Sequence, residues 1–129
     1  MKIIKRAKKS LGQNFLIDKN IIKKIIKIGN IDKTKNVLEI GAGYGGLTNS
    51  LASMNPKEII AIEKDLVLSE LLKKKFNNRS KIKIINSDIL DVIKKKKIKK
   101  NSIVFGNLPY NISTQILASL ILLHKWPPW

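Results

Sequence analysis

The sequence predicts an α/β fold, a doubly wound parallel sheet with helices on both faces, preceded by an N-terminal arm and helix. Three observations predict it. Four short apolar runs recur along the chain: Val37–Ile40, Ile59–Ile62, Ile82–Ile85 and Ile103–Phe105. Stretches of helical period separate them. The first run leads straight into a glycine-rich turn, Gly41–Gly46, from which a helix departs. Glu39 and Lys83 apart, the runs read as apolar throughout, the pattern of strands covered on both sides.

Residues 1–17 read as a basic arm and residues 18–129 as part of the α/β domain. Asp18 or Asn20 is placed to cap the first helix. That helix sets Ile21, Ile22, Ile25 and Ile26 against Lys19, Lys23, Lys24 and Lys27, and Gly29-Asn30 is its expected stop. Leu47–Met54 is the next predicted helix. Leu66–Phe76 follows, with Leu68, Leu71, Leu72 and Phe76 on one face. Ile89–Ile93 begins another helical turn, and Ser113–Leu123 is the last helix, ended by Pro127-Pro128.

Composition excludes several classes. There is no cysteine, so disulfides and thiolate metal sites are out. His124 is the only histidine, which argues against a histidine metal centre. The longest apolar candidate, Ile116–Leu123, holds eight residues and includes Ser119, against roughly 20 for a membrane helix. No apolar stretch follows the basic N-terminus as in a secretion signal. A cytoplasmic protein without membrane or metal is the expectation.

The net charge of +17 suits a polyanionic partner. Only Arg6 and Arg79 are arginines among 26 basic residues, so a lysine-rich compositional bias explains the charge equally well. Charge alone leaves both readings open.

Parallel sheets bind ligands at the carboxyl ends of their strands. After the first strand, Gly41, Gly43 and Gly46 fit G-x-G-x-x-G, so a nicotinamide dinucleotide is one reading. Glu63 ends the second strand, 22 residues beyond Gly41, where a carboxylate can accept from ribose hydroxyls. After the third strand, Asp88 either accepts from the amine of an adenine ring or caps the helix at Ile89–Ile93. After the fourth comes Asn107-Leu108-Pro109-Tyr110. Proline makes the turn rigid, Asn107 and nearby carbonyls offer acceptors, and Tyr110 offers a face for a base. Such a pocket suits a planar group bearing an amine. A dinucleotide oxidoreductase has no standard need for Asp88 or for this tetrapeptide.

These residues resemble the motifs of class I adenine-N6 methyltransferases. With Gly12-Gln13-Asn14-Phe15-Leu16 upstream and Asn111-Ile112-Ser113-Thr114 downstream, the whole is similar to the small-subunit (16S) ribosomal RNA adenine dimethyltransferases, the kasugamycin-resistance family. The resemblance runs from about Ala7 to the end of the chain. It implies a fold that binds S-adenosyl-L-methionine (SAM). It implies that Asn14 and Leu16 contact the cofactor, that Gly41 and Gly43 pass its methionine part, that Glu63 holds its ribose and that Asp88 holds its adenine. Asn107 would sit near both methyl donor and target amine. The implied reaction is dimethylation of two adjacent adenosines near the 3′ end of small-subunit rRNA, on the assembling 30S subunit. A non-catalytic RNA-binding or assembly protein of the same fold is the rival reading.

Lys5, Arg6, Lys8 and Lys9 precede the Gly12–Leu16 motif and are candidate RNA contacts at the mouth of the site. The denser run Lys94–Lys97 with Lys99 and Lys100 feeds the start of the fourth strand. It reads first as a solvated turn and second as a distant rRNA contact. Family members continue beyond the equivalent of Trp129 with further strands and a small helical domain. This chain is therefore expected to cover the cofactor-binding part, to be poorly soluble or molten at this length alone, and to be monomeric in full-length form.

Overall fold

The computed structural model describes residues 19–95, 97–99, 101–106 and 115–119. Its elements alternate: α1 (Lys19–Gly29), β1 (Asn36–Ile40), α2 (Gly46–Ser53), β2 (Glu58–Glu63), α3 (Leu66–Lys75), β3 (Ile82–Asn86), α4 (Ile89–Lys94) and β4 (Ser102–Gly106). Residues 115–119 are helical. The four strands pair in parallel in the order β3-β2-β1-β4. The register aligns Val37 with Ile59 and Ile103, and Ile60 with Lys83. All four expected strands are present, each within about a residue of its apolar run.

Side chains alternate across a strand, so each strand feeds two cores. Val37, Ile59 and Phe105 face α1 and α2, where Ile22, Ile26, Leu47 and Leu51 close the first core. On the same side, Ala61 meets Leu72 and Phe76 of α3. Leu38, Ile40 and Ile62 face the other way, onto Ile89, Val92 and Ile93 of α4 and onto Ile116. Helices therefore do lie on both faces. Gly29 ends α1 against Phe105, where an added Cβ would fall 2.4 Å from the ring. Asn30 then takes φ +45°, the left-handed stop expected of Gly29-Asn30.

Three expectations need correction. The third strand is not covered on both sides: Lys83 and Ile85 point to the α4 face and are exposed. Lys83 instead pairs with Glu58, 2.7 Å away. In α3, Leu71 is exposed while Leu68, Leu72 and Phe76 are buried. In α1, Ile22 and Ile26 are buried and Ile25 partly so, but Ile21 is exposed. Both helices follow one cause. A short helix on a small sheet buries a narrow stripe, Ile22 and Ile26 with part of Ile25 in α1 and Leu68, Ser69 and Leu72 in α3, which leaves Ile21 and Leu71 outside it. Asn20 lies inside α1 and is not its cap; Asp18 lies outside the described residues.

Candidate functional site

The carboxyl ends of β1, β2 and β3 carry the residues that the sequence singles out. Gly41, Gly43 and Gly45 all have positive φ, at +74°, +59° and +86°. Glycine reaches this region without steric cost, so the alternation bends the backbone from strand to helix in six residues. Gly41 N–H donates to the Ile62 carbonyl at 2.8 Å and Gly45 N–H to the Ala42 carbonyl at 2.9 Å. Gly45 caps α2 in the left-handed conformation. An added Cβ there would meet Leu72 and Phe76 at 2.9 Å. Gly46 begins α2, so the working glycines are 41, 43 and 45 and not the 41, 43, 46 of the dinucleotide pattern.

Glu63 ends β2 and is buried. Its Oε2 accepts from Gly43 N–H and its Oε1 from Asp65 N–H, both at 2.9 Å. One carboxylate thus ties the glycine turn to the start of α3. Each carboxylate oxygen has two acceptor positions, so Glu63 retains capacity for two further donors. Asp65 is buried as well and caps α3 by accepting from Leu68 N–H at 3.1 Å.

Asp88 stands at the end of β3. Its Oδ1 accepts from Leu90 N–H at 2.9 Å, so it caps α4. Its Oδ2 lies 3.1 Å from Lys64 Nζ. Partial burial pushes this carboxyl up, but the Leu90 N–H and the Lys64 ammonium outweigh it and hold the group below the ordinary carboxylate range. Capping leaves acceptor positions on both oxygens. Asn86 braces the same corner, donating to the carbonyls of Glu63 and Lys64 at 2.9 and 3.1 Å.

The structure adds a residue to which the sequence assigns no task. Glu39 lies in the middle of β1 with 1% of its surface exposed, and Thr48, fully buried in α2, donates to its Oε2 at 2.5 Å. Burial pushes the Glu39 carboxyl up to about 7, against the pull of Thr48 and with a further push from the charge on Glu63. The signal was available: a strand covered on both faces has no exposed position for a glutamate, and Thr48 follows on the first turn of the helix.

Gly41, Gly43, Glu63 and Asp88 therefore converge on one rim of the sheet. Asn14, Leu16, Asn107, Leu108, Pro109 and Tyr110, and the basic Lys5, Arg6, Lys8 and Lys9, lie outside the described residues. Among the described residues no group of three or more His, Cys, Asp or Glu could hold a metal ion. No described helix is long and apolar enough to cross a membrane.

The model of the family described as "Ribosomal RNA adenine dimethylase" matches residues 4–127. The chain belongs to this family. With that membership the oxidoreductase alternative falls. The chain is 52% identical over 117 residues to the ribosomal RNA small subunit methyltransferase A of Pelagibacter ubique, covering 91% of this chain and 44% of that protein. It thus spans less than half the length of the curated relatives it matches. Among solved structures it resembles the 23S rRNA methyltransferase ErmE (TM-score 0.76, 26% identity, 87% of this chain and 44% of that one). It also resembles a dimethyladenosine transferase from Plasmodium falciparum (TM-score 0.77, 27% identity, 88% and 40%). The class I methyltransferase fold expected from the sequence is the fold observed.

Proposed function

We propose that this chain is the cofactor-binding part of a SAM-dependent enzyme that dimethylates adenine N6 in small-subunit (16S) rRNA. The observation that carries the reading is the joining of Gly43 and Glu63 at the rim of a fold whose family match spans residues 4–127. A buried carboxylate beside positive-φ glycines fits a nucleoside: two hydroxyls can donate to Glu63 while the turn admits close approach. Asp88 keeps acceptor positions for an adenine amine. Asn14 and Leu16, in the arm of residues 1–17, contribute further contacts, and residues 18–129 form the core of the site. Bound SAM supplies a methyl group activated by its sulfonium, so the chain needs no metal for this chemistry.

The protein's own task is to prepare the nucleophile. The adenine amine gives its lone pair to the ring and is a weak nucleophile. Acceptance of its two hydrogens by the Asn107 side chain and the Leu108 carbonyl favours a pyramidal nitrogen. Pro109 keeps that turn rigid, and Tyr110 stacks on the base once it has left its helix. Positioning and electrostatics supply most of the rate. Lys5, Arg6, Lys8 and Lys9 contact the RNA near the mouth. The substrate is two adjacent adenosines near the 3′ end of that rRNA, presented by the assembling 30S subunit to a cytoplasmic, monomeric enzyme.

Calorimetric titration with S-adenosylhomocysteine and transfer of labelled methyl to under-methylated small subunits test the reading. Asn107→Ala is expected to lose at least a hundredfold in transfer and to keep most cofactor affinity, consistent with roughly 3 kcal/mol for one well-placed polar group. Transfer at the native rate by this variant would remove Asn107 from the chemistry. Failure of the native chain to bind S-adenosylhomocysteine would remove the whole reading.

A further inference from the structure

Among the described residues, charge is divided unequally between the two rims of the sheet. At the carboxyl rim, the described turns carry Glu63, Asp65 and Asp88 against the single Lys64. At the amino rim, Lys33 and Lys35 precede β1, Lys57 precedes β2, and Arg79 and Lys81 precede β3. Three more described lysines stand between α4 and β4. The only acids in these segments are Asp32 and Glu58, and Glu58 is already held by Lys83 and Lys99.

The backbone fastens these segments side by side. Lys57 N–H donates to the Lys35 carbonyl at 2.9 Å and Ile59 N–H to the Lys81 carbonyl at 2.8 Å. The basic run before β4, which in the sequence is an isolated patch, is therefore one end of a band that crosses all four strands. The band is roughly 15 Å across, at about 4.8 Å per strand spacing. Within it lies a cavity of about 230 Å³, lined in part by Asn55, Asn78, Arg79, Ser80 and Lys81. Lys81 Nζ donates to Asn55 Oδ1 at 3.1 Å. Arg79 is one of only two arginines in the chain.

We infer that this amino rim is a second RNA-docking surface, which takes the phosphodiester backbone of a folded RNA at a point remote from the methyl-transfer site. The inference rests on the proposed RNA substrate and extends it. Lysine ammoniums neutralise phosphates without reading bases. A guanidinium in a recess beside amide and hydroxyl groups can grip one phosphate with two parallel bonds. That donor set is the one a phosphodiester calls for. The two rims are separated by the length of the strands, roughly 17 Å at 3.3 Å per residue. At about 3.4 Å per base pair, a hairpin stem of fewer than about five pairs that presents an adenine at one rim does not reach the other. The partner is therefore an RNA large enough to pass around the edge of the sheet, so the rim selects for folded subunit RNA over a minimal substrate.

The test compares Lys57→Glu/Arg79→Glu with Lys23→Glu/Lys74→Glu, which makes the same charge change on α1 and α3. Binding is measured over a salt series to a long transcript of the 3′ region of small-subunit rRNA and to a short hairpin from it. The rim variant should lose at least about tenfold in affinity for the long transcript, with the salt slope reduced by about one per lost phosphate contact. Its affinity for the hairpin should stay within about twofold, and the control variant should match the native chain on both RNAs. Lysine acetylation of the native protein gives a readout that needs no variant: the long transcript should shield Lys57 and Lys81, and the hairpin should not. Equal losses in both variants, or equal losses on both RNAs, would reduce the band to bulk charge and overturn the proposal. Rim-dependent binding to phosphatidylglycerol vesicles but not to RNA would overturn it too. S-adenosylhomocysteine affinity should be unchanged in both variants. If the native chain binds that ligand but the rim makes no difference, this inference alone fails; if it binds no such ligand, the proposed function fails.

Discussion

Replacing Glu39 by glutamine should flatten the pH dependence of stability near neutrality. Burial raises the Glu39 carboxyl from its ordinary 4.5 to about 7. Between those values the folded chain holds a proton that the unfolded chain has released. Stability from this group is therefore present below pH 4.5 and is lost as pH rises toward 7, at about 1.4 kcal/mol per pH unit and about 3 kcal/mol in total. Glutamine keeps an oxygen for the Thr48 hydroxyl and has no proton to lose. Its amide needs a partner in the same place, which returns on the order of 1–3 kcal/mol. The net effect at pH 8 is thus small or stabilising, while the slope is removed. Glu58 and Asp88 act in the opposite sense, because their carboxyls are held low: their contribution is present above the unfolded values of 4.5 and 3.8 and is lost as pH falls below them. The two windows do not overlap. Urea titrations followed by far-UV circular dichroism at pH 5, 6, 7 and 8 would show the difference. A native chain whose stability is level or rises from pH 5 to 7 would refute the argument, as would a glutamine variant that keeps the native slope.

Gly45→Ala should destabilise the fold by about 2–3 kcal/mol, from left-handed backbone strain and overpacking against Leu72 and Phe76; a shifted urea midpoint with unchanged slope is the readout. Asp88→Ser separates its two tasks. The hydroxyl still caps α4, so the stability loss should stay within about 1 kcal/mol, the worth of a partly exposed pair such as Asp88 with Lys64. Loss of the carboxylate acceptor should cost about tenfold or more in S-adenosylhomocysteine affinity, and calorimetry at pH 7 would measure it.

The strands were legible because each is a short apolar run that a turn closes, and the candidate site follows from the rule that strand ends in parallel sheets are where ligands bind. Glu63, Gly41 and Gly43 stand at the strand ends where the pattern put them, and Gly45 takes the part read for Gly46. What escaped is tertiary in origin. Lys83 sits within an apolar run, and only the lack of a helix over that side of β3 explains why it can reach Glu58 and water. Leu71 has the right period and the wrong azimuth by one residue. Asp88 was readable as cap or ligand, and capping turns out to leave its remaining acceptors open, so the two readings do not compete. The basic run before β4 could not be joined to Lys35 by any local rule, because only the strand order 3-2-1-4 sets β4 beside β1, with Arg79 at the far end of the same rim.

The tie between Glu63 and the glycine turn also bears on how fast a ligand is captured. Gly43 and Asp65 hold their places through the same carboxylate before any nucleoside arrives. At the glycine turn itself encounter then requires no refolding, and this part of the rim should add no ordering step to association, with differences among its ligand contacts expressed in how long a ligand stays. Weakening that tie would leave a mobile turn that must be ordered at each encounter. Its mark would be a slower on-rate, separable in a stopped-flow trace from the faster escape expected when a ligand contact alone is lost.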